Sequence, residues 1–181
     1  MSNQGAARAA AEAMLALWER EFPATVRVLA AASDARRDYR PDPKSRSTWE
    51  LLTHIATADA WFLDSVAQGA FNFDSEKVKQ AEAAFGQVAD IVSFYEAQVP
   101  ARLARLRALP DDQLAQPLDF FGMMNMSRAE WIGFANNHSV HHRGQLSTHL
   151  RAIGSKVPDI YGPSADAEQP ARHSFVHLRH R

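Results

Sequence analysis

The clearest pattern in the chain is a helical repeat of apolar positions in four long segments. Residues three and four apart lie on one face of an α-helix, so each segment predicts a helix that buries a single stripe. We place these helices at about residues 6–33, 48–68, 75–106 and 128–153. No stretch shows the alternation of a β-strand, and residues 119–126 are apolar without a clear period. Four long helices predict an all-α fold, a four-helix bundle.

Capping residues mark several helix boundaries. Ser47 stands three residues before Glu50, and Ser127 stands three before Glu130. This is the spacing of a capping box, in which the two side chains accept backbone N–H groups of the first turn. Ser75 is the predicted cap of the third helix.

Prolines and a glycine predict where helices bend or end. Pro23 predicts a kink in the first helix or a later start, and Pro100 predicts a bend in the third. Pro110 indicates a short helical turn. Gly154 suits the left-handed position after the fourth helix, beyond which the periodic pattern stops. We therefore expect one domain over residues 1–181, with a helical core at about 6–154 and an extended, non-helical tail at 155–181.

Composition narrows the possible functions. The chain has 181 residues, and its 20 basic and 21 acidic side chains leave no basic excess for nucleic-acid binding. It has no cysteine, which excludes disulfides, a thiol nucleophile of its own and cysteine metal sites. No run of about 18 apolar residues predicts a membrane span. Glu12 interrupts the apolar start, which argues against an export signal, and we expect a cytoplasmic protein.

The candidate chemistry lies in the histidines. His138 and His142 are four residues apart, so their imidazoles lie one turn apart on one helical face and can converge on a metal ion. They share this stripe with Trp131, Phe134 and Leu146, which predicts that both point into the bundle. Two imidazoles buried together need partners, and a metal ion satisfies both.

His54 is the predicted third ligand because it lies near the buried face of the second helix. The alternative is a buried histidine that bonds a backbone carbonyl. A second pair with the same spacing, His173 and His177, lies in the polar tail beyond the last periodic segment. We therefore do not assign that pair to the metal site.

Other polar side chains near the predicted ligands have weaker assignments. We expect His141 at the edge of the site and His149 packed or exposed beside it. Asp59 could orient a ligand, but a solvated surface carboxylate is the expectation. Gln145 is a candidate to hydrogen-bond a ligand, and Arg143 either forms a surface salt bridge or anchors an anionic substrate.

Several familiar motifs do not match. No glutamate stands between His138 and His142 to act as the base of a zinc protease, and the second and fourth helices lack the Glu-x-x-His pairs of di-iron bundles. A glycine-rich phosphate loop and a G-x-S-x-G elbow are also missing from the sequence.

Three segments resemble the DinB family, also called DinB/YfiT-like proteins. Residues 137–146 (NHSVHHRGQL) resemble the family signature, residues 51–56 (LLTHIA) resemble its first-ligand region, and residues 157–166 (VPDIYGPSAD) resemble a segment after the last helix. The resemblance implies a four-helix bundle in which three histidines, here His54, His138 and His142, bind one divalent metal ion, usually nickel, zinc or iron. The family shares only a name with the translesion DNA polymerase.

The resemblance also implies functions. Characterised members of the DinB family include thiol-dependent S-transferases and a mycothiol-dependent isomerase domain, and others are classed as hydrolases. We expect a metal-dependent enzyme, either a low-molecular-weight-thiol transferase or a hydrolase, that acts on a small molecule and forms a homodimer without nucleic-acid or membrane partners. The alternatives are a non-catalytic metal-binding or stress-response module and a metal-free helical interaction protein. The loop with Phe120, Phe121, Met123 and Met124 either walls a pocket or packs in the core.

Overall fold

A computed structural model describes residues 2–167, which form six α-helices and one two-stranded β-sheet. The elements are α1 (Asn3–Ala30), α2 (Thr48–Gln68), α3 (Ser75–Ala83), α4 (Val88–Arg107), α5 (Asp111–Ala115), β1 (Pro117–Phe120), β2 (Met124–Ser127) and α6 (Arg128–Ala152). Within this range, none of the helices has both the length and the apolar character needed to cross a membrane.

The four long helices α1, α2, α4 and α6 form the predicted bundle. Helix α1 packs against α4 and α6, and α2 packs against the same two helices from the other side. The core between them is apolar and includes Trp18, Ile55, Tyr95 and Trp131. The indole N–H of Trp18 donates to the carbonyl of Ile132 at 2.9 Å, so this buried tryptophan leaves no unpaired donor.

Both predicted capping boxes are present. The Ser47 hydroxyl accepts from the Glu50 N–H at 3.1 Å, and the Glu50 carboxylate accepts from the Ser47 N–H at 2.7 Å. Helix α2 therefore begins at Thr48, as the sequence predicts. Ser127 and Glu130 cap α6 in the same way. Gly154 has a φ of +79° after α6, the left-handed conformation expected at a helix end.

The predicted third helix is wrong in two respects. It consists of two helices, α3 and α4, separated at residues 84–87. A carboxylate begins each of them. The side chain of Asp74, and not that of Ser75, caps α3 by accepting from the N–H groups of Glu76 and Lys77. Asp90 accepts from the N–H groups of Gly86 and Gln87 and so begins α4.

The prolines do not interrupt the helices that contain them. Helix α1 begins at Asn3, where Ser2 caps it, and continues through Pro23, so the expected late start is wrong. Helix α4 likewise continues through Pro100. Both prolines are exposed, and the carbonyl groups left without an N–H partner can bond water.

Residues 117–127 form a β-hairpin that the sequence pattern did not predict. Phe120 pairs with Met124, and Phe121 (φ +52°) and Gly122 (φ +74°) form its turn. Phe120 packs against Phe71 at a ring distance of 5.0 Å, whereas Phe121 is exposed. Exposed Met123 and Met124 join Phe121 at the surface, so the expectation of core packing holds for Phe120 and fails for the other three.

The tail is non-helical at residues 155–167, as predicted, and it folds back on the bundle. The Asp166 carboxylate pairs with Arg151 at 2.6 Å and accepts from the Val157 N–H at 2.8 Å. The Tyr161 hydroxyl donates to the Glu21 carboxylate on α1 at 2.9 Å. The rest of the tail lies outside the described residues, as does the pair His173 and His177.

The capping box of α2 gives a test of the fold. Replacing Ser47 by Ala removes one half of the box, and we expect unfolding free energy to fall by about 1 kcal/mol. Ser33→Ala is the matched control. Ser33 precedes a short 3₁₀ helix, Asp34–Arg36, and makes no side-chain capping bond, so its effect should stay below about 0.5 kcal/mol. Equal losses in the two variants, measured by urea denaturation, would contradict the role of the box.

Candidate metal centre

The packing of α2 against α6 brings the three predicted histidines together. His54 comes from α2, and His138 and His142 come from adjacent turns of α6. One ring nitrogen from each lies within 4.8 Å of the other two. The Nε2 atoms of His54 and His142 are 3.2 Å apart, and the rings of His138 and His142 are 4.4 Å apart.

These distances fit a divalent cation. With metal–nitrogen bonds of about 2.0–2.1 Å, two ligands of a tetrahedral ion lie about 3.3 Å apart, close to the separation of the His54 and His142 nitrogens. The amide oxygen of Gln145 lies 2.7 Å from Nδ1 of His142 and can only accept, so Nδ1 carries the proton. The Nε2 lone pair of His142 then faces the cluster. Gln145 thus accepts a hydrogen bond from His142, one of the three predicted ligands.

The surroundings keep two of the imidazoles neutral. Burial, followed by the positive charge of Arg46, lowers the pKa of His54 to about 3. Burial also lowers the pKa of His142 to about 4, and the Gln145 hydrogen bond opposes this change. Both side chains therefore present a lone pair at neutral pH, which is the form that binds a metal.

Asp59 lies beside this cluster and is fully buried, so the expectation of a surface carboxylate is wrong. Its Oδ2 accepts hydrogen bonds from the hydroxyls of Tyr95 at 2.8 Å and Ser139 at 2.7 Å. Burial raises the pKa of Asp59, while the nearby His138 and the hydrogen bonds from Ser139 and Tyr95 oppose the increase. The carboxylate is thus held rigidly between α2, α4 and α6.

The second oxygen of Asp59 faces His138. Oδ1 of Asp59 and Nδ1 of His138 are 3.9 Å apart, and neither atom has a hydrogen-bond partner among residues 2–167. A small rotation of the imidazole would bring them within bonding distance, with Nδ1 as donor and Nε2 free for a metal. Carboxylates support metal-binding histidines in this way. A buried carboxylate beside neutral imidazoles also lacks a compensating charge, which a dication would supply.

The remaining predicted residues lie around the cluster in different roles. His141 is exposed at the edge, as expected, with its ring 4.9 Å from that of His142. His149 is buried beside the site and contacts the Thr48 hydroxyl at 3.2 Å. Arg143 is buried and pairs with Glu21 on α1 at 2.5 Å, so the surface salt bridge predicted for it is wrong.

Two cavities border the cluster. The first, of about 370 Å³, is polar and basic and reaches His142; we call it the basic cavity, and its lining includes Lys44, Arg46, Gln145 and His149. The second, of about 340 Å³, reaches His54 and His138; we call it the aromatic cavity, and its lining includes Trp61, Phe62, Phe73, Val78 and Glu82. Neither of these two cavities is lined by the hairpin loop.

Comparison with known proteins agrees with this architecture. A sequence profile of the DinB family matches residues 1–173. Two uncharacterized Bacillus subtilis proteins are each 27% identical to the chain: YjoA over 68% of the chain and 77% of YjoA, and YrdA over 82% and 86%. The crystal structure of YjoA is similar with a TM-score of 0.64 at 21% identity, covering 82% of this chain and 96% of that one. A DinB-like protein from Bacillus cereus is similar with a TM-score of 0.69 at 24% identity, covering 83% and 97%.

The Asp59 contact predicts a change in metal affinity. In Asp59→Asn, the carbonyl oxygen can still accept from Tyr95 and Ser139, which places the NH₂ group toward His138. That group would favour the tautomer with the proton on Nε2 of His138, so we expect metal affinity to fall about 10–100-fold in a chelator competition assay. Asp64→Asn is the control, because Asp64 pairs with Arg102 and Arg105 on the outside of the same helix. Unchanged affinity in Asp59→Asn would contradict the contact.

The lowered pKa values predict how acid affects the metal-free protein. His54 and His142 bind protons more weakly in the folded state than in the unfolded state, whose histidine pKa is about 6.5. Their contribution to stability is therefore complete above about pH 6.5 and is lost as pH falls through about 4 for His142 and toward about 3 for His54. We expect urea denaturation of chelator-treated protein to show this loss, with a smaller pH dependence in His54→Ala. The same slope in wild type and variant would contradict the prediction.

Proposed function

We propose that this chain, which belongs to the DinB family, is a metal-dependent enzyme that transfers a low-molecular-weight thiol to an electrophilic small molecule. One observation carries the proposal: three imidazoles converge on one point, and that point borders two separate cavities. A site with two approaches suits a reaction that joins two molecules.

The donor set determines the chemistry that a bound ion supplies. A divalent ion held by His54, His138 and His142 would keep open positions and would lower the pKa of a thiol or water, producing a nucleophile near neutral pH. Because the chain has no cysteine, the thiol has to come from a small molecule. In the proposed reaction the thiol releases its proton to solvent, and its sulfur bonds to the electrophilic carbon. The leaving group departs with the electron pair of the broken bond.

The residues of the chain position the reactants. Gln145 orients His142, and Asp59 would orient His138 once a small rotation of that imidazole brings Nδ1 within hydrogen-bonding distance. The aromatic cavity is dominated by Trp61 and Phe62 and would bind and partly desolvate an apolar electrophile. The basic cavity would receive the thiol from the side of His142.

A hydrolase is the second candidate, and Glu82 favours it. This glutamate lines the aromatic cavity together with His54 and His138, and burial raises its pKa. A carboxylate with a raised pKa is suited to take a proton from an attacking water. Glu82→Gln should then abolish turnover of ester substrates and leave thiol transfer unaffected.

A non-catalytic metal module would need a closed coordination shell. Among residues 2–167 the cluster contains three ligands, and His149, a candidate fourth, contacts Thr48 instead. A cluster of three histidines without a fourth protein ligand in that range supports an enzyme rather than a non-catalytic module. The homodimer and the cytoplasmic location stay predictions.

Metal content tests the proposal first. Untagged protein purified without chelators should contain about one equivalent of nickel, zinc or iron by mass spectrometry, because three imidazole nitrogens lie close together. His54→Ala and His142→Ala should lose it. His141→Ala is the matched control, since this exposed histidine adjoins the cluster without belonging to it.

Turnover completes the test. Metal-loaded wild type should catalyse transfer of small thiols to aryl or alkyl electrophiles, and His142→Ala should not. A protein that binds no metal after addition of all three ions would favour the metal-free interaction protein. Full metal occupancy without turnover of any thiol or ester would favour the non-catalytic module.

A further inference from the structure

Arg46 occupies a position between the two cavities that the proposed chemistry does not yet explain. It is exposed in the loop before α2 and lines both the basic and the aromatic cavity.

The guanidinium has no partner in the described part of the chain. Within residues 2–167, the Arg46 side chain makes no hydrogen bond or ion pair, whereas Arg40 in the same loop pairs with Glu50 at 2.9 Å. The Lys44 side chain, which also lines the basic cavity, is likewise unpaired in that range. Two cations beside a cavity favour a ligand that carries negative charge.

The two cavities differ in the charge they accept. The residues that line the basic cavity include Lys44 and Arg46 and no carboxylate. Those that line the aromatic cavity include Glu82, whose negative charge offsets that of Arg46 there. An anionic group therefore belongs in the basic cavity, on the side where His142 faces the metal position.

We propose that the basic cavity binds the carboxylate of a small anionic thiol through Arg46, with Lys44 assisting, so that the thiol group reaches the three-histidine site. This proposal rests on the proposed function and specifies its nucleophile. A guanidinium can hold a carboxylate with two parallel hydrogen bonds, which would fix the orientation of the thiol as well as its affinity. The aromatic cavity is then left to the electrophile.

Small thiols of different charge test this assignment. The full-length protein is loaded with cobalt(II), whose absorption changes when a thiol binds, and is titrated with 3-mercaptopropionate, with neutral 2-mercaptoethanol and with cationic cysteamine. Because these thiols differ in acidity, the informative quantity is the change in their affinity ratio between wild type and variant. Arg46→Gln should lower the preference for 3-mercaptopropionate over 2-mercaptoethanol about fivefold.

Arg36→Gln is the matched control because it removes an exposed positive charge from the preceding turn, and Arg36 lines neither cavity. It should leave the affinity ratio unchanged. If wild type and Arg46→Gln have the same affinity ratio of 3-mercaptopropionate to 2-mercaptoethanol, the assignment of Arg46 is overturned. In that case, binding of 2-mercaptoethanol would still support the proposed function. Failure of every thiol to bind cobalt-loaded wild type would overturn both.

Discussion

The buried carboxylate of Asp59 constrains how α2, α4 and α6 pack and how the three histidines lie beside it. Taking a carboxylate out of water costs several kcal/mol unless hydrogen bonds and an opposite charge compensate. Tyr95 and Ser139 supply hydroxyl donors from α4 and α6, so one oxygen ties three helices of the bundle together. The opposite charge is not supplied by those two groups. The side of Asp59 that lacks a partner faces His138, and through it the point where the three imidazoles meet.

The bundle therefore holds a polar site in which the buried negative charge of Asp59 has no positive charge opposite it in the described part of the chain. Each of the contacts near it has a direction: Gln145 fixes the proton of His142 on Nδ1, and Asp59 favours the same tautomer in His138. Burial keeps His54 and His142 neutral. Without a metal, Nε2 of His54 can donate a hydrogen bond to Nε2 of His142 at 3.2 Å, but Nδ1 of His138 and Oδ1 of Asp59 have no partner among residues 2–167. A cation would accept the lone pairs of all three imidazoles and would compensate the charge of Asp59 at the same time.

Local patterns in the sequence were sufficient to predict the bundle and the three histidines that cluster in it. Ser47 with Glu50, and the four-residue spacing of His138 and His142 on an apolar stripe, are signals within a few residues of each other. Asp59 could not be recognised in this way, because its partners Tyr95 and Ser139 lie 36 and 80 residues away in the chain. The break between α3 and α4 was missed because apolar spacing continues across it, although Asp90 marks the new start. The hairpin strands have only four residues each, and burial alternates in β1 but not in β2, which leaves too short a pattern to detect.

The charges at the site also bear on which nucleophile it accepts. Three neutral imidazoles leave the full charge of a dication, and Asp59 cancels one unit of it, so a buried net charge of about +1 would remain. An anionic nucleophile cancels that remainder, whereas a neutral one leaves it uncompensated at a partly buried site. The positive charge of Arg46 is not needed for this balance, since Arg46 is exposed and stabilised by solvent. It is therefore available to a second negative group on the same molecule. A thiol that carries a carboxylate satisfies both requirements, while the aromatic cavity, with Glu82 on its wall, favours a neutral electrophile.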